Sequence, residues 1–213
     1  MKTTERAAGR PCLAPPGKIV VGLTGPIASG KSLALKYFAD EGALGISADA
    51  VAAQVLTSPA CYNRILTRFG SKIILTNGFL DKERLAAEVF GVPAKRKWLE
   101  SLLHPEILKR INSLIKKSRK KIVVVEAPLL FEAGLAECFT FTVCVDAPER
   151  DRRARARRRG WTPAQYAARK AAQLSAEEKR SRADITLENG GPPRELKARI
   201  GQLCRFLKAA GEK

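Results

Sequence analysis

The sequence predicts an α/β fold in which a parallel sheet is flanked by helices. Three short runs rich in apolar residues predict buried strands, and they lie at Lys18–Thr24, Lys121–Glu126 and Phe139–Asp146. The first of them is a continuous apolar run and does not alternate. Continuous apolar runs of this length are typical of strands that are buried on both faces. Segments with helical spacing separate these runs, which is the order expected for parallel strands joined by crossovers.

The first predicted strand ends at Gly25 and leads into a glycine-containing turn. A helix is predicted over Lys31–Glu41, because apolar residues recur there at helical spacing and Gly42 follows as a stop signal. Leu44–Ile46 predicts a second short strand, which ends near Asp49.

A helical insert is predicted over residues 50–118, where apolar side chains recur at helical spacing. The breaks between its helices are predicted at Pro59, Gly70, Asn77–Gly78 and Pro93. Pro105 is predicted to begin the last of these helices, because proline is favoured at the first helical position.

The last third of the chain is predicted to be mostly helical. Pro148–Arg159 is an arginine-dense helix, and Thr162–Pro163 begins another by its capping residues. Ser175–Glu178 has the pattern of a capping box. Ile185–Leu187 predicts a short strand, and Arg194–Ala210 predicts the closing helix.

Composition and charge set limits on the class of protein. The chain has 213 residues, 45% of them hydrophobic, so a mostly disordered chain is excluded. No apolar stretch approaches the ~18 residues of a membrane helix. Lys and Arg number 39 against 21 Asp and Glu, a net charge of +18. This excess favours an anionic partner, meaning phosphates on a small molecule or on a nucleic acid.

The N-terminus and the cysteines indicate a cytoplasmic protein. Residues 1–18 contain Pro, Gly and charge without an apolar core, so they do not form a secretory signal. Residues 1–17 are predicted to be a disordered leader, with a misassigned start of the chain as the alternative. Five cysteines without a C-x-x-C pair, beside a single histidine, lack the spacing of a zinc site. They are interpreted as reduced thiols, with Cys138 and Cys144 in or near a buried strand.

One motif carries specific chemistry. Gly25–Ser32 reads G-x-x-x-x-G-K-S between a predicted strand and a predicted helix, the pattern of a phosphate-binding loop. Its glycines allow successive N–H groups to point at a phosphate, and the helix N-terminus adds its dipole. Lys31 would reach the β- and γ-phosphates, and Ser32 would ligate Mg²⁺. The predicted ATP-binding residues of this segment are Gly25, Pro26, Ile27, Ala28, Ser29, Gly30, Lys31, Ser32 and Leu33.

The motif alone leaves a small-molecule kinase, an ATPase, a GTPase and a nucleic-acid motor open. A length of 213 residues disfavours a motor, and the N-K-x-D motif of GTPases is missing. The helical insert and the arginine-rich segment favour a kinase, which needs a lobe for its acceptor and a lid that excludes water. The predicted kinase domain, 18–213, has a core of 18–49, 119–147 and 183–213, an acceptor lobe of 50–118 and a lid of 148–182.

Five blocks between about residues 18 and 190 resemble the dephospho-CoA kinase family. In order, they are Gly22–Ser32; Ile46–Asp49 with Ala52, Gln54 and Val55; Phe90 with Trp98–Pro105; Pro128–Glu132; and Gln173, Lys179, Ala183–Asp184 and Asn189–Gly190. The resemblance implies an ATP-dependent phosphotransferase that makes coenzyme A by phosphorylating the ribose 3′-hydroxyl of dephospho-CoA. It also implies Mg²⁺, a P-loop core with a helical acceptor lobe and a lid, and a cytoplasmic location. A kinase of another nucleoside-like acceptor and a nucleotide-dependent nucleic-acid-binding protein remain the alternatives.

The resemblance also assigns roles to single residues. Asp49 matches the second acid of the family's D-A-D segment, and a carboxylate there would accept the proton of the acceptor hydroxyl; it would equally suit the start of a helix. The family's first acid is Ser47 here. Asp49 and Lys31 are therefore the predicted catalytic residues. Glu126, which ends a predicted strand, is expected to hold Mg²⁺ through water, or else simply to emerge at the sheet edge.

The remaining assignments concern the acceptor and the lid. His104, Pro128 and Leu129 are the predicted acceptor-binding residues. The family has two lid arginines four residues apart; the second aligns with Arg158 and the first with Ala154. Arg158 is therefore predicted to bind ATP, and most of the other arginines of this helix are predicted to be solvated.

Overall fold

The computed structural model describes residues 13–89 and 91–210. Its strands are β1 (Ile19–Thr24), β2 (Leu44–Ser47), β3 (Ile122–Glu126), β4 (Phe141–Asp146) and β5 (Ile185–Glu188). Its α-helices are α1 (Lys31–Asp40), α2 (Ala48–Leu56), α3 (Pro59–Phe69), α4 (Lys82–Val89), α5 (Pro93–Lys117), α6 (Glu149–Arg158), α7 (Pro163–Ala171), α8 (Ala176–Arg182) and α9 (Pro193–Ala210).

The five strands form one parallel sheet in the order β2-β3-β1-β4-β5, which confirms the predicted fold class. In the register of the sheet, Glu126 at the end of β3 stands beside Leu23 of β1 and Ser47 of β2. The carboxyl ends of the strands therefore meet at one edge, where α/β proteins bind their ligands.

The hydrophobic core explains why the predicted strands lack alternation. Every residue of β3 is buried, and β1 and β4 are buried apart from their first residues. Phe38 of α1 and Leu207 of α9 belong to the same buried cluster as the sheet. Cys144 lies in this core, and burial raises the pKa of its thiol to about 12.

The chain divides into two compact units, with boundaries at Ser47–Ala48 and at Leu114–Ile115. The sheet and α6–α9 belong to the first unit. The second unit has its own buried side chains, including Ile65, Ile73 and Leu85. Its Trp98 ring packs edge-on against Phe69 at a centroid distance of 5.7 Å.

Pro105 was predicted to begin a helix, and this prediction is wrong. The residue lies inside α5, twelve positions after the helix begins at Pro93. Proline removes one N–H from a helix interior and crowds the preceding turn. The helix continues because Leu102, Ile111 and Ile115 are buried along it, and packing of an apolar face outweighs local propensity.

The predicted disordered leader is also corrected in part. Residues 13–17 are described, and Leu13 is 1% exposed. Its N–H donates to the carbonyl of Cys138 at 3.1 Å, which fixes the segment just before β1. Residues 1–12 of the predicted leader lie outside the described residues. Among the helices that the structure describes, none combines the length and the apolar character of a membrane span.

Candidate active site

The loop between β1 and α1 has the backbone that its two motif glycines predict. Gly25 has a φ of 146°, and a Cβ there would lie 2.1 Å from the carbonyl oxygen of Val145. Gly30 has a φ of 103°, and a Cβ there would lie 2.1 Å from the side-chain nitrogen of Asn189. Both positions exclude a side chain by conformation and by space. The chain therefore curls tightly before α1 begins at Lys31.

Lys31 points back into this loop. Its ammonium is buried and donates to the carbonyls of Gly25 at 3.0 Å and Pro26 at 2.9 Å. A cation held inside a curled main chain, at the N-terminus of a helix, is an arrangement that suits a phosphate anion. The ammonium can exchange its carbonyl partners for phosphate oxygens, which form stronger charge-assisted hydrogen bonds.

Ser32 and Glu126 form the second feature of the site. The Ser32 hydroxyl donates to the Glu126 carboxylate at 2.9 Å, and Glu126 is only 8% exposed. Hydroxyl and carboxylate oxygens are hard donors of the kind that Mg²⁺ accepts, together with water and substrate phosphates. Within residues 13–89 and 91–210 no group of three or more acidic, His or Cys side chains forms a metal cage. The pair therefore fits a Mg²⁺ ion that completes its shell with phosphate and water.

A network that the sequence did not predict holds the outer side of the loop. The Asn189 side chain donates to the Ser29 carbonyl at 2.7 Å and is 3% exposed. Arg155 donates to the same carbonyl at 3.0 Å and to the Asn189 carbonyl at 2.6 Å. Asn189 belongs to a block that carried the family resemblance, and this was the only signal for it in the sequence.

Arg155 of α6 hydrogen-bonds the loop at Ser29, whereas ATP binding by Arg158 stays a prediction. Arg158 is exposed. On a helix of 3.6 residues per turn, Arg155 lies near the inward face marked by the buried Arg152 and Ala156, whereas Arg158 lies further from that face.

Arg153 pairs with Glu149, whose pKa falls to about 2 because Lys170 and Arg153 donate hydrogen bonds to it.

A cavity of about 220 Å³ opens beside the loop. Pro26 and Ile27 form one wall, and side chains of α6 and of the segment 170–176 form the others. The positive charge of Arg152 and Lys170 borders this space, and Glu149 offsets part of it.

The predicted acceptor residues fall in both units. Pro128 and Leu129 follow β3 at the ligand edge, where Leu129 is 44% exposed and the Pro128 carbonyl accepts from the Thr24 hydroxyl at 3.3 Å. His104 lies inside α5, and Asp49 lies in the first turn of α2, both in the second unit. The second strand was predicted to end near Asp49, whereas β2 ends at Ser47 and Asp49 is a helical residue. Phe90 lies outside the described residues.

We expect Gly30→Ala to raise the KM for ATP about tenfold, because the new Cβ would push Asn189 off the Ser29 carbonyl. Gly42→Ala is a matched control, since Gly42 has a φ of 90° and open space around it. Both variants should lose thermal stability from backbone strain, and only Gly30→Ala should change ATP kinetics. Equal KM values in the two variants would contradict this role of the Asn189 contact.

The parallel sheet, the curled loop with its buried lysine and the Ser32–Glu126 pair define an α/β P-loop protein. A family model described as dephospho-CoA kinase matches residues 19–194. The chain belongs to the dephospho-CoA kinase family.

Relatives and solved structures agree with this assignment. A dephospho-CoA kinase of Thermobifida fusca is 37% identical over 192 residues, 88% of this chain and 96% of the relative. A dephospho-CoA kinase of Deinococcus radiodurans is 38% identical over 192 residues, which are 88% of this chain and 90% of the relative. TT1252 from Thermus thermophilus superposes with a TM-score of 0.80 and 32% identity, covering 89% of this chain and 98% of that one. Dephospho-CoA kinase from Campylobacter jejuni superposes with a TM-score of 0.55 and 26% identity. That match covers 92% of this chain and 98% of the other.

Proposed function

We propose that this chain transfers the γ-phosphoryl group of ATP to the ribose 3′-hydroxyl of dephospho-CoA, giving ADP and coenzyme A. Membership of the family supports the acceptor, and the loop around Lys31 supports the nucleotide. The observation that carries the proposal is the curled Gly25–Gly30 backbone closing on a buried ammonium beside the Ser32–Glu126 pair.

The reaction follows from positioning and electrostatics. The acceptor oxygen attacks the γ-phosphorus, the bond to the β-phosphate oxygen breaks, and the acceptor proton passes to the Asp49 carboxylate. Lys31 and the loop N–H groups hold the phosphate oxygens on which charge develops. Mg²⁺, when bound, withdraws charge from the β- and γ-phosphates. Ser32 would hold it directly and Glu126 through water.

The wider electrostatics and the thiols suit this assignment. ATP and dephospho-CoA are polyanions, and a chain with a net charge of +18 attracts them at long range. Cys61, Cys144 and Cys204 are free and buried, which supports a reducing location such as the cytoplasm.

A coupled assay of ADP release tests the proposal directly. Release that requires dephospho-CoA supports it. Release only with nucleosides or nucleoside monophosphates would assign the chain to another nucleoside-like acceptor. Salt-sensitive binding of RNA without acceptor-dependent turnover would favour the nucleic-acid-binding alternative.

We expect Arg155→Ala to raise the KM for ATP about tenfold, because two hydrogen bonds that brace the loop are lost with one guanidinium. Arg157→Ala removes an exposed arginine of the same helix and controls for the loss of one positive charge. Steady-state kinetics with varied ATP measure both. A larger effect from Arg158→Ala than from Arg155→Ala would contradict this role of Arg155 and support the assignment of Arg158 made from the sequence.

A further inference from the structure

One lysine of the first unit is buried completely. Lys179 in α8 has no exposed surface, which is rare for a lysine because a buried charge needs partners. An ammonium has three N–H donors. The structure gives it three acceptors, the Glu132 carboxylate at 2.9 Å, the Pro128 carbonyl at 2.6 Å and the Gln173 side-chain oxygen at 3.4 Å.

These three contacts join separate segments of the chain at the ligand edge. The Pro128 carbonyl also accepts from Thr24, the last residue before the phosphate loop. The Glu132 carboxylate also accepts the Leu174 N–H at 2.8 Å. Gln173 and Leu174 in turn line the cavity beside Pro26. One ammonium therefore ties the segment 128–132 both to the end of β1 and to the wall of that cavity.

Stability alone does not explain this arrangement. An ion pair in the protein interior gains little over well-packed apolar side chains, because both charges lose their hydration. The geometry that the ammonium fixes is specific, since it holds a main-chain carbonyl next to Leu129, whose apolar side chain is 44% exposed at the ligand edge. An exposed apolar side chain held at a fixed place suits contact with an organic acceptor.

We infer that Lys179 is a positioning residue for the acceptor: through Pro128 and Glu132 it fixes the segment that carries Leu129. This inference rests on the proposed function, because it concerns the acceptor side of the same site. The phosphate loop also has contacts that do not involve Lys179, since Asn189 and Arg155 both donate to the Ser29 carbonyl.

The test compares Lys179→Met with the native chain. We expect the KM for dephospho-CoA to rise at least about tenfold, while the dissociation constant of ATP, measured with a fluorescent analogue, changes less than about threefold. Thr142→Val is the matched control for a buried polar bond away from this site, since its hydroxyl donates to Asp184 at 2.7 Å. That variant should lose stability and keep both constants.

A double variant separates positioning from folding. Lys179→Met/Glu132→Gln removes both charges and should recover thermal stability while the acceptor KM stays high. Recovery of the acceptor KM together with stability would overturn the inference. If Lys179→Met does not fold, Glu132→Gln alone should still raise the acceptor KM, and an unchanged KM would overturn the inference.

The same experiment distinguishes the two proposals. A native chain that does not turn over dephospho-CoA overturns the proposed function. A native chain that does, beside variants with an unchanged acceptor KM, overturns the role of Lys179 alone.

Discussion

Lys31→Ala is expected to lower kcat at least ~10²-fold. Lys31 is 8% exposed, and its ammonium already lies inside the loop, where it donates to two carbonyls at 2.9 and 3.0 Å. During transfer, negative charge builds on the oxygen that bridges the β- and γ-phosphorus atoms, and a preorganised cation stabilises that charge more than it stabilises bound ATP. The loss should therefore appear mainly in kcat.

The control for this prediction is Lys36→Ala. Lys36 is an exposed lysine on the same helix, so its removal changes the net charge by the same amount without touching the loop. We expect its kcat to stay within about twofold of the native value. Circular dichroism and thermal unfolding establish that both variants are folded. A Lys31→Ala enzyme with near-native kcat would show that the lysine serves the fold of the loop and not the reaction.

Local patterns were sufficient for the parts of the site that are local in sequence. The strand Ile19–Thr24, the motif glycines and the helix that begins at Lys31 follow one another within about twenty residues, and each is dictated by its own side chains. Glu126 was predicted to hold Mg²⁺ through water because it ends a predicted buried strand. The structure places its carboxylate against the Ser32 hydroxyl, since β1 and β3 are neighbours in the parallel sheet.

The site residues that were not predicted from the sequence are held by contacts between distant positions of the chain. Asn189 reaches Ser29 across 160 positions, and Arg155 reaches it across 126. No local pattern distinguishes Arg155 from the other arginines of α6, because only the packing of that helix decides which one faces the loop. The prediction that Pro105 begins a helix was wrong for the same reason, since buried side chains on both sides of the proline hold that helix.

The replacement of the family's first acid by Ser47 is compatible with this site. Ser47 ends β2 and stands beside Glu126 in the register of the sheet. The carboxylate that bonds Ser32 therefore comes from the neighbouring strand, so an acid at position 47 is not needed for that contact. What the serine cannot supply is a second negative charge, so in the proposed reaction Asp49 is the carboxylate that would accept the proton of the acceptor hydroxyl.

Asp49→Asn is expected to lower kcat at least ~10²-fold, because an amide cannot accept the acceptor proton. The substitution is nearly isosteric and lies in the first turn of α2, a position where asparagine is also tolerated. Folding and ATP binding should therefore be retained, and the loss should appear in single-turnover measurements with both substrates saturating. Asp81→Asn is the matched control, since Asp81 accepts main-chain N–H groups at the start of α4 in the same unit.

The pair of variants separates chemistry from helix electrostatics. Both remove one negative charge from a helix N-terminus, where acids are favoured by the helix dipole. If Asp49 acts only in that way, both variants should show small losses of thermal stability and a kcat within about twofold of native. If it accepts the proton, Asp49→Asn alone should lose turnover. Near-normal turnover of Asp49→Asn would remove the aspartate as the base and leave proton acceptance to a phosphate oxygen or to water.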